Sequence, residues 1–206
     1  MEMRGIKNTR TFKSWKRKGW YDMIKIGILV GSLREESLSK KIAANVASLF
    51  PEGYETEFIE IGNLPFYNQD KDNENNTAAE YTTLRNTIKE IDAVLFVTPE
   101  YNRSVPAVIT NALDVGSRPP GESVWNGKPA AIISQSPGNL SGFGANHHLR
   151  QILTPLNMPV VQQPEAYIAN SANLLDKNGK IKNEGTVQFF QSFVDTFVEL
   201  IKKYQA

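Results

Sequence analysis

The 206-residue sequence has no cysteine. That excludes disulfides, thiolate metal sites and a cysteine nucleophile. Its only histidines are the neighbours His147 and His148. Adjacent helical residues point about 100° apart, so a histidine-based metal site is not expected. No apolar run reaches the ~18 residues needed to cross a bilayer, and no signal-peptide core follows the first basic residues. The net charge is +1, too small to make nucleic acid the expected partner. What is present is 40% hydrophobic content, which suits one sizeable globular core.

The charge is unevenly placed. Residues 1–22 carry Arg4, Lys7, Arg10, Lys13, Lys16, Arg17 and Lys18 against Glu2 and Asp22, and the remainder is mildly acidic. This head has no apolar period. It cannot bury enough surface to offset an ordering entropy of about 1–2 kcal/mol per residue. The chain therefore divides into a basic extension over 1–22, predicted to be disordered, and one domain over 23–206. A transit peptide, or a basic arm interleaved with Trp15, Trp20 and Tyr21, are the competing readings of the extension. Because strand pattern begins directly after Met23, the expectation is either that translation starts at Met23 or that the arm is dispensable.

From residue 24 the pattern alternates. Near-continuous apolar runs predict strands over 24–30, 56–61, 93–97, 130–133 and 159–161. Apolar residues at helical spacing predict helices over 38–50, 77–90, 106–116, 143–156 and 187–204. Thr77 and Glu80 have capping-box spacing, Pro106 suits a first turn, and 62–76 is a long polar loop. Strands separated by helical crossovers imply a five-stranded parallel sheet covered on both faces, an α/β/α sandwich. Such sheets bind ligands beyond the carboxyl ends of their strands. The loops that matter are then 31–39, 99–105 and 135–143.

The first loop, Gly31-Ser-Leu-Arg-Glu-Glu-Ser-Leu-Ser39, opens a helix. Helix-start amides favour an anion, Ser32, Ser37 and Ser39 add hydroxyls, and Arg34 adds a planar cation suited to phosphate. Simple capping is the alternative for these serines. The loop lacks the Gly-x-Gly-x-x-Gly and P-loop patterns, so a phosphate monoester fits better than a dinucleotide. Glu35 and Glu36 oppose an anion unless they point to solvent. The second loop, Pro99-Glu-Tyr-Asn-Arg-Ser-Val-Pro106, offers restrained backbone, a ring and an amide to a flat heteroaromatic ligand. A phosphoacceptor receiver domain shares the topology but requires acidic residues where this chain has Gly31-Ser32 and Thr98-Pro99.

These motifs, with Asn111-Ala-Leu-Asp114, the Ser134–Gly142 stretch and His148-Leu-Arg-Gln-Ile-Leu153, resemble the NAD(P)H-dependent FMN reductases of flavodoxin-like fold. That family includes bacterial quinone, chromate and azo-dye reductases, and the resemblance spans residues 24 to about 204. It implies that the first loop, through Ser32, Arg34, Ser37 and Ser39, holds the FMN phosphate. It implies that Pro99, Glu100, Tyr101 and Asn102 run along the isoalloxazine, and that Ser136 approaches the flavin. Hydride would pass from NADPH or NADH through bound FMN to a quinone, azo compound, flavin or similar small acceptor, with no catalytic side chain required. A cytoplasmic homodimer or homotetramer, without membrane or nucleic-acid partner, is implied too. The chain departs from the family pattern at Ser39, often asparagine. It departs again at Gly144 and His147, often arginine and tyrosine, positions that bear on subunit contacts. A flavodoxin-like electron carrier and an FMN-binding regulatory subunit are the rival readings.

Overall fold

The computed structural model describes residues 23–73 and 76–205; the basic extension over 1–22 lies outside the described residues. Five strands form one parallel sheet: β1 (Ile24–Val30), β2 (Tyr54–Phe58), β5 (Ala93–Pro99), β6 (Ala130–Gln135) and β7 (Ala166–Ile168), in the order β2-β1-β5-β6-β7. A two-stranded antiparallel hairpin, β3 (Asp72–Asn73) with β4 (Asn76–Thr77), stands apart. The helices are α1 (Leu38–Ala47), α2 (Ala79–Glu90), α3 (Ala107–Gly116), α4 (Phe143–Leu153) and α5 (Glu184–Gln205).

Alternate residues of the central strands feed two separate cores. Ile26, Ile28, Val30, Leu95 and Val97 pack with Ile42 and Val46 of α1 and Phe190, Phe193 and Phe197 of α5. Leu29, Val94 and Phe96 pack with Tyr81 and Ile88 of α2, Ile109 and Leu113 of α3, and Leu149 of α4. Burial on both faces explains why these strands show no polar alternation in the sequence. The strand order is that of the flavodoxin-like fold, whose direction reverses between the first and third strands of the sheet. Here that reversal falls between β1 and β5.

The structure departs from the sequence pattern at several elements. The fifth strand is Ala166–Ile168, not 159–161. Val160 makes only an isolated bridge to Ala130, while β7 pairs with Ile133–Gln135 at the far end of β6. The apolar Pro159-Val-Val161 run is therefore a contact at the start of β6 rather than a strand. The second helix begins at Ala79 without a side-chain cap. Thr77 instead belongs to β4, and its hydroxyl donates to the Asn73 carbonyl at 2.9 Å. Strand β2 starts and ends earlier than the apolar pattern suggests, and α1 and α4 stop short of residues 50 and 156.

The polar 62–76 segment is anchored where it is described. Asn111 of α3 accepts from the Tyr67 amide at 2.8 Å and donates to the Pro65 carbonyl at 3.0 Å. The Tyr81 hydroxyl donates to the Phe66 carbonyl at 2.7 Å. Arg85 grips Asp72 with two bonds of 2.7 Å and donates a third to the Val115 carbonyl. Both side chains are largely buried, at 11% and 4% exposure. Arg85's hydrogen bonds hold the Asp72 carboxyl below its ordinary range against the opposing effect of burial.

Breaking a buried pair costs about 3–5 kcal/mol because the survivor is left uncompensated. Arg85→Leu is therefore expected to lower Tm by roughly 6–20 °C. Asp72's depressed pKa means its contribution is complete above the ordinary carboxylate range and is lost as pH falls through the depressed value. Thermal denaturation of parent and variant should show a gap that narrows on acidification.

Candidate functional site

The three loops converge at the carboxyl ends of β1, β5 and β6. Together they line a cleft of about 250 Å³ formed by Ser32, Arg34, Leu38, Pro99, Glu100, Tyr101, Gln135, Ser136 and Pro137. A larger cavity of about 410 Å³ lies at the opposite end of the sheet, against Gly127, Arg150, Met158 and Val160. Of the motif residues it touches Arg150 alone, and it sits at the amino end of β6, away from the three loops. The smaller cleft occupies the topological switch point, where sheets of this kind bind ligands, and it is the candidate site.

Gly31 lets the first loop leave β1 close against β5 and α3. A Cβ there would meet Thr98 Oγ1 at 2.8 Å, Ile109 Cδ1 at 2.9 Å and Pro99 Cδ at 3.1 Å. Ser32 is buried in the wall and Arg34 is exposed at the mouth. Ser37 caps α1, accepting from the Lys40 amide at 3.1 Å. Leu38 and Ser39, in the first turn, have amides with no acceptor inside the helix. The acidic pair is kept out of the way: Glu35 and Glu36 are exposed, and Glu36 is paired with Lys41. Lys41, and then Arg34, hold its carboxyl below the usual range.

Three of the residues that the sequence marks do not line the cleft: Ser37, Ser39 and Asn102. Ser39 is fully buried, and its hydroxyl accepts from Gln135 Nε2 at 2.9 Å. The Ser171 hydroxyl donates to Gln135 Oε1. Ser39 is thus a strut that orients a cleft-lining amide across 96 residues of sequence. Gln135, Leu38 and Pro137 line the cleft without having been singled out. No local pattern marks Gln135, because its partners come from α1 and from the turn after β7.

The second loop is a tight turn. Tyr101 and Ser104 exchange backbone bonds of 3.0 and 2.9 Å, and Asn102 and Arg103 have φ of 51° and 65°. Positive φ at both central residues is the type I′ arrangement, natural for Asn and costly for Arg. Tyr101 remains half exposed beside the cleft, while the Glu100 side chain is turned inward, where Oε2 accepts from the Ala145 amide at 3.1 Å and Oε1 from Arg103 at 2.9 Å. Burial acts to raise the Glu100 pKa. Arg103 and the α4 amides of Ala145 and Gly144 outweigh it and hold the carboxyl below its ordinary value. In the third loop, Ser136 Oγ accepts from the Gly138 amide at 3.1 Å.

The two histidines diverge. His147 lies 2.9 Å from the Tyr167 hydroxyl and packs on Phe143 with ring centroids 4.2 Å apart. Burial, with the hydrogen bond to Glu165, pushes the Tyr167 hydroxyl up to about 12. His148 Nδ1 lies 2.6 Å from Ser104 Oγ. Among the described residues, no cluster of acidic, histidine or cysteine side chains could hold a metal ion.

The sequence model of the NADPH-dependent FMN reductases matches residues 24–173. The chain belongs to that family. A quinone reductase of Pseudomonas putida is 49% identical over 88% of this chain and 96% of its own length. A 2-hydroxy-1,4-benzoquinone reductase of a Burkholderia species is 42% identical over 87% and 97%. Among solved structures, the flavoenzyme NAD(P)H:(acceptor) oxidoreductase FerB from Paracoccus denitrificans superposes with a TM-score of 0.82 at 38% identity, covering 88% of this chain and 99% of that one. This FMN reductase is accordingly an oxidoreductase that uses FMN and NAD(P)H on a flavodoxin-like fold. Among its described residues, no helix is long and apolar enough to cross a membrane.

The strut reading of Ser39 is directly testable. Ser39→Ala leaves the buried Gln135 amide without its acceptor, which costs about 1–3 kcal/mol. Denaturant unfolding should show that loss. Flavin titration should show a smaller change in FMN affinity than Arg34→Ala produces.

Proposed function

We propose that this protein is an FMN-dependent NAD(P)H:quinone oxidoreductase whose FMN occupies the β1/β5 cleft. The observation that carries the reading is the donor set at the switch point: the exposed Arg34 cation and the Ser32 hydroxyl beside the start of α1. Helix-start amides and an arginine suit a terminal phosphate. Beyond them, Pro99, Tyr101, Ser136 and Pro137 offer flat walls and polar edges suited to a ring system. The residues present therefore fit flavin mononucleotide. When bound, FMN supplies the two-electron chemistry between NAD(P)H and the acceptor.

The chain's part is to bind and orient. Arg34 and the α1 start hold the phosphate. Ser37 and Ser39 support that loop from behind, Ser37 by capping α1 and Ser39 by fixing Gln135. The stretch from Pro99 to Tyr101 lies along the ring, with Glu100 bracing it against α4. No side chain in the cleft is given a nucleophilic role. Quinones as acceptors are supported by the activities for which the two bacterial relatives are named. The same reading makes the enzyme cytoplasmic, as suits a soluble nicotinamide donor, and a homodimer or homotetramer. Exposed Phe66, Leu140 and Phe143 at the cleft end of the molecule support association.

Purified protein should be yellow and should oxidise NADH or NADPH only when a quinone is supplied. Bound flavin without quinone-dependent turnover would favour an electron carrier. Arg34→Ala should weaken FMN binding by roughly 1.5–3 kcal/mol, the worth of a charge-assisted hydrogen bond. Riboflavin, which lacks the phosphate, should bind parent and variant alike in fluorescence titration.

A further inference from the structure

The Tyr101–Ser104 turn is strained and yet closely held. Arg103 has a β-carbon in the left-handed region, at φ 65°, where a type I′ turn ordinarily places glycine. Its own two backbone bonds close the turn but do not say where it sits on the molecule. That is decided by the first turns of α4. The Glu100 carboxylate, at the foot of the turn, accepts from the Ala145 amide at 3.1 Å. Gly144 lets the helix approach until a Cβ there would meet the Arg103 carbonyl oxygen at 2.7 Å and Glu100 Oε2 at 2.9 Å. One helical turn onward, on the same face, His148 Nδ1 lies 2.6 Å from Ser104 Oγ. Glu100 fixes the entry to the turn and Ser104 its exit. Among the described residues of α4, His148 is the side chain that bonds to that exit, and it is otherwise exposed.

We propose that His148 is a positioning residue for the flavin site: through Ser104 it holds the Tyr101–Ser104 turn in the register that presents Tyr101 to the ring. The inference rests on the reading that this turn lies along the isoalloxazine. His148 touches neither flavin nor substrate in this account. It acts on the ring end of the cleft, whereas Arg34 acts on the phosphate end, and the two contributions are separable by ligand. The hydrogen bond belongs to Nδ1, so a side chain with a polar atom at that position can replace the ring, and one with a polar atom only at the Nε2 position cannot.

The experiment is fluorescence titration of the apoprotein with FMN and with riboflavin, together with the visible absorption and circular dichroism of the bound flavin. His148 is exposed, so its replacement leaves the core intact. His148→Ala is expected to weaken FMN and riboflavin by the same factor, roughly five- to tenfold, and to alter the flavin's visible dichroism. Ser104→Ala should do the same, and the double variant should be no worse than either single one. His148→Asn, with its amide at the Nδ1 position, should restore affinity and dichroism, and His148→Gln should not. Unchanged affinities in His148→Ala, additive losses in the double variant, or equal behaviour of Asn and Gln would each overturn the proposal. Asn102→Pro separates the two levels of inference, because proline cannot adopt the positive φ that Asn102 has. If it weakens both flavins while His148→Ala does not, only the pin is wrong. If it too leaves both affinities unchanged, the turn is not at the flavin and the site reading falls with the proposal.

Discussion

At the carboxyl ends of β1 and β5 the chain leaves the sheet toward opposite faces, α1 packing on one side and α3 on the other. Two neighbouring parallel strands whose connections diverge leave a crevice between them. The crevice walls are backbone at strand ends and a helix start, groups that have not spent their hydrogen-bonding capacity within the sheet. The candidate flavin site follows from this reversal. Gly31 matters because the loop must bend between Thr98 and Ile109 to leave the crevice open. Leu38 lines the cleft because α1 starts there.

Around that crevice the polar residues work in pairs rather than singly. Gln135 is oriented by Ser39 from one crossover and Ser171 from another. On β6, the Ser134 hydroxyl donates to the Ser141 carbonyl and accepts from Asn146, which in turn accepts from Arg150. Asn146 and Ser134 are fully buried. Buried polar groups that are fully satisfied make a site rigid, whereas the loss of one partner is costly. These contacts tie the 135–143 loop to α4, and α4 is also the element that holds the turn at 101–104. Two of the three cleft loops are therefore positioned by a single helix.

The polar segment between β2 and α2 is ordered by the same physics. Its composition, rich in Asn and Asp, gives it little apolar surface to bury. Its described residues are instead fastened by Asn111, Tyr81 and Arg85. The Arg85–Asp72 pair is worth little relative to an apolar replacement of both partners. Once formed, it makes one arrangement of the segment far better than the alternatives. Phe66 is held 78% exposed on this anchored loop.

Much of this was legible in the sequence. Buried parallel strands produce near-continuous apolar runs, so β1 is marked in full and β5 and β6 nearly so, and helical spacing marks all five helices. Their alternation fixes the layered fold, and the fold fixes which loops form a site. The Ser32–Arg34 and Pro99–Tyr101 motifs sit in those loops because their chemistry is local. The sequence could not indicate β7, whose three residues become a strand only because the carboxyl end of β6 is free to pair with them. Nor could it show that Thr77 enters a hairpin instead of capping α2, since Asn73 competes for its hydroxyl. The serines of the first loop share one local pattern, yet tertiary contacts separate them. Ser32 lines the cleft, Ser37 caps a helix, and Ser39 is buried against Gln135, a residue that comes beside it only when β6 is laid into the sheet.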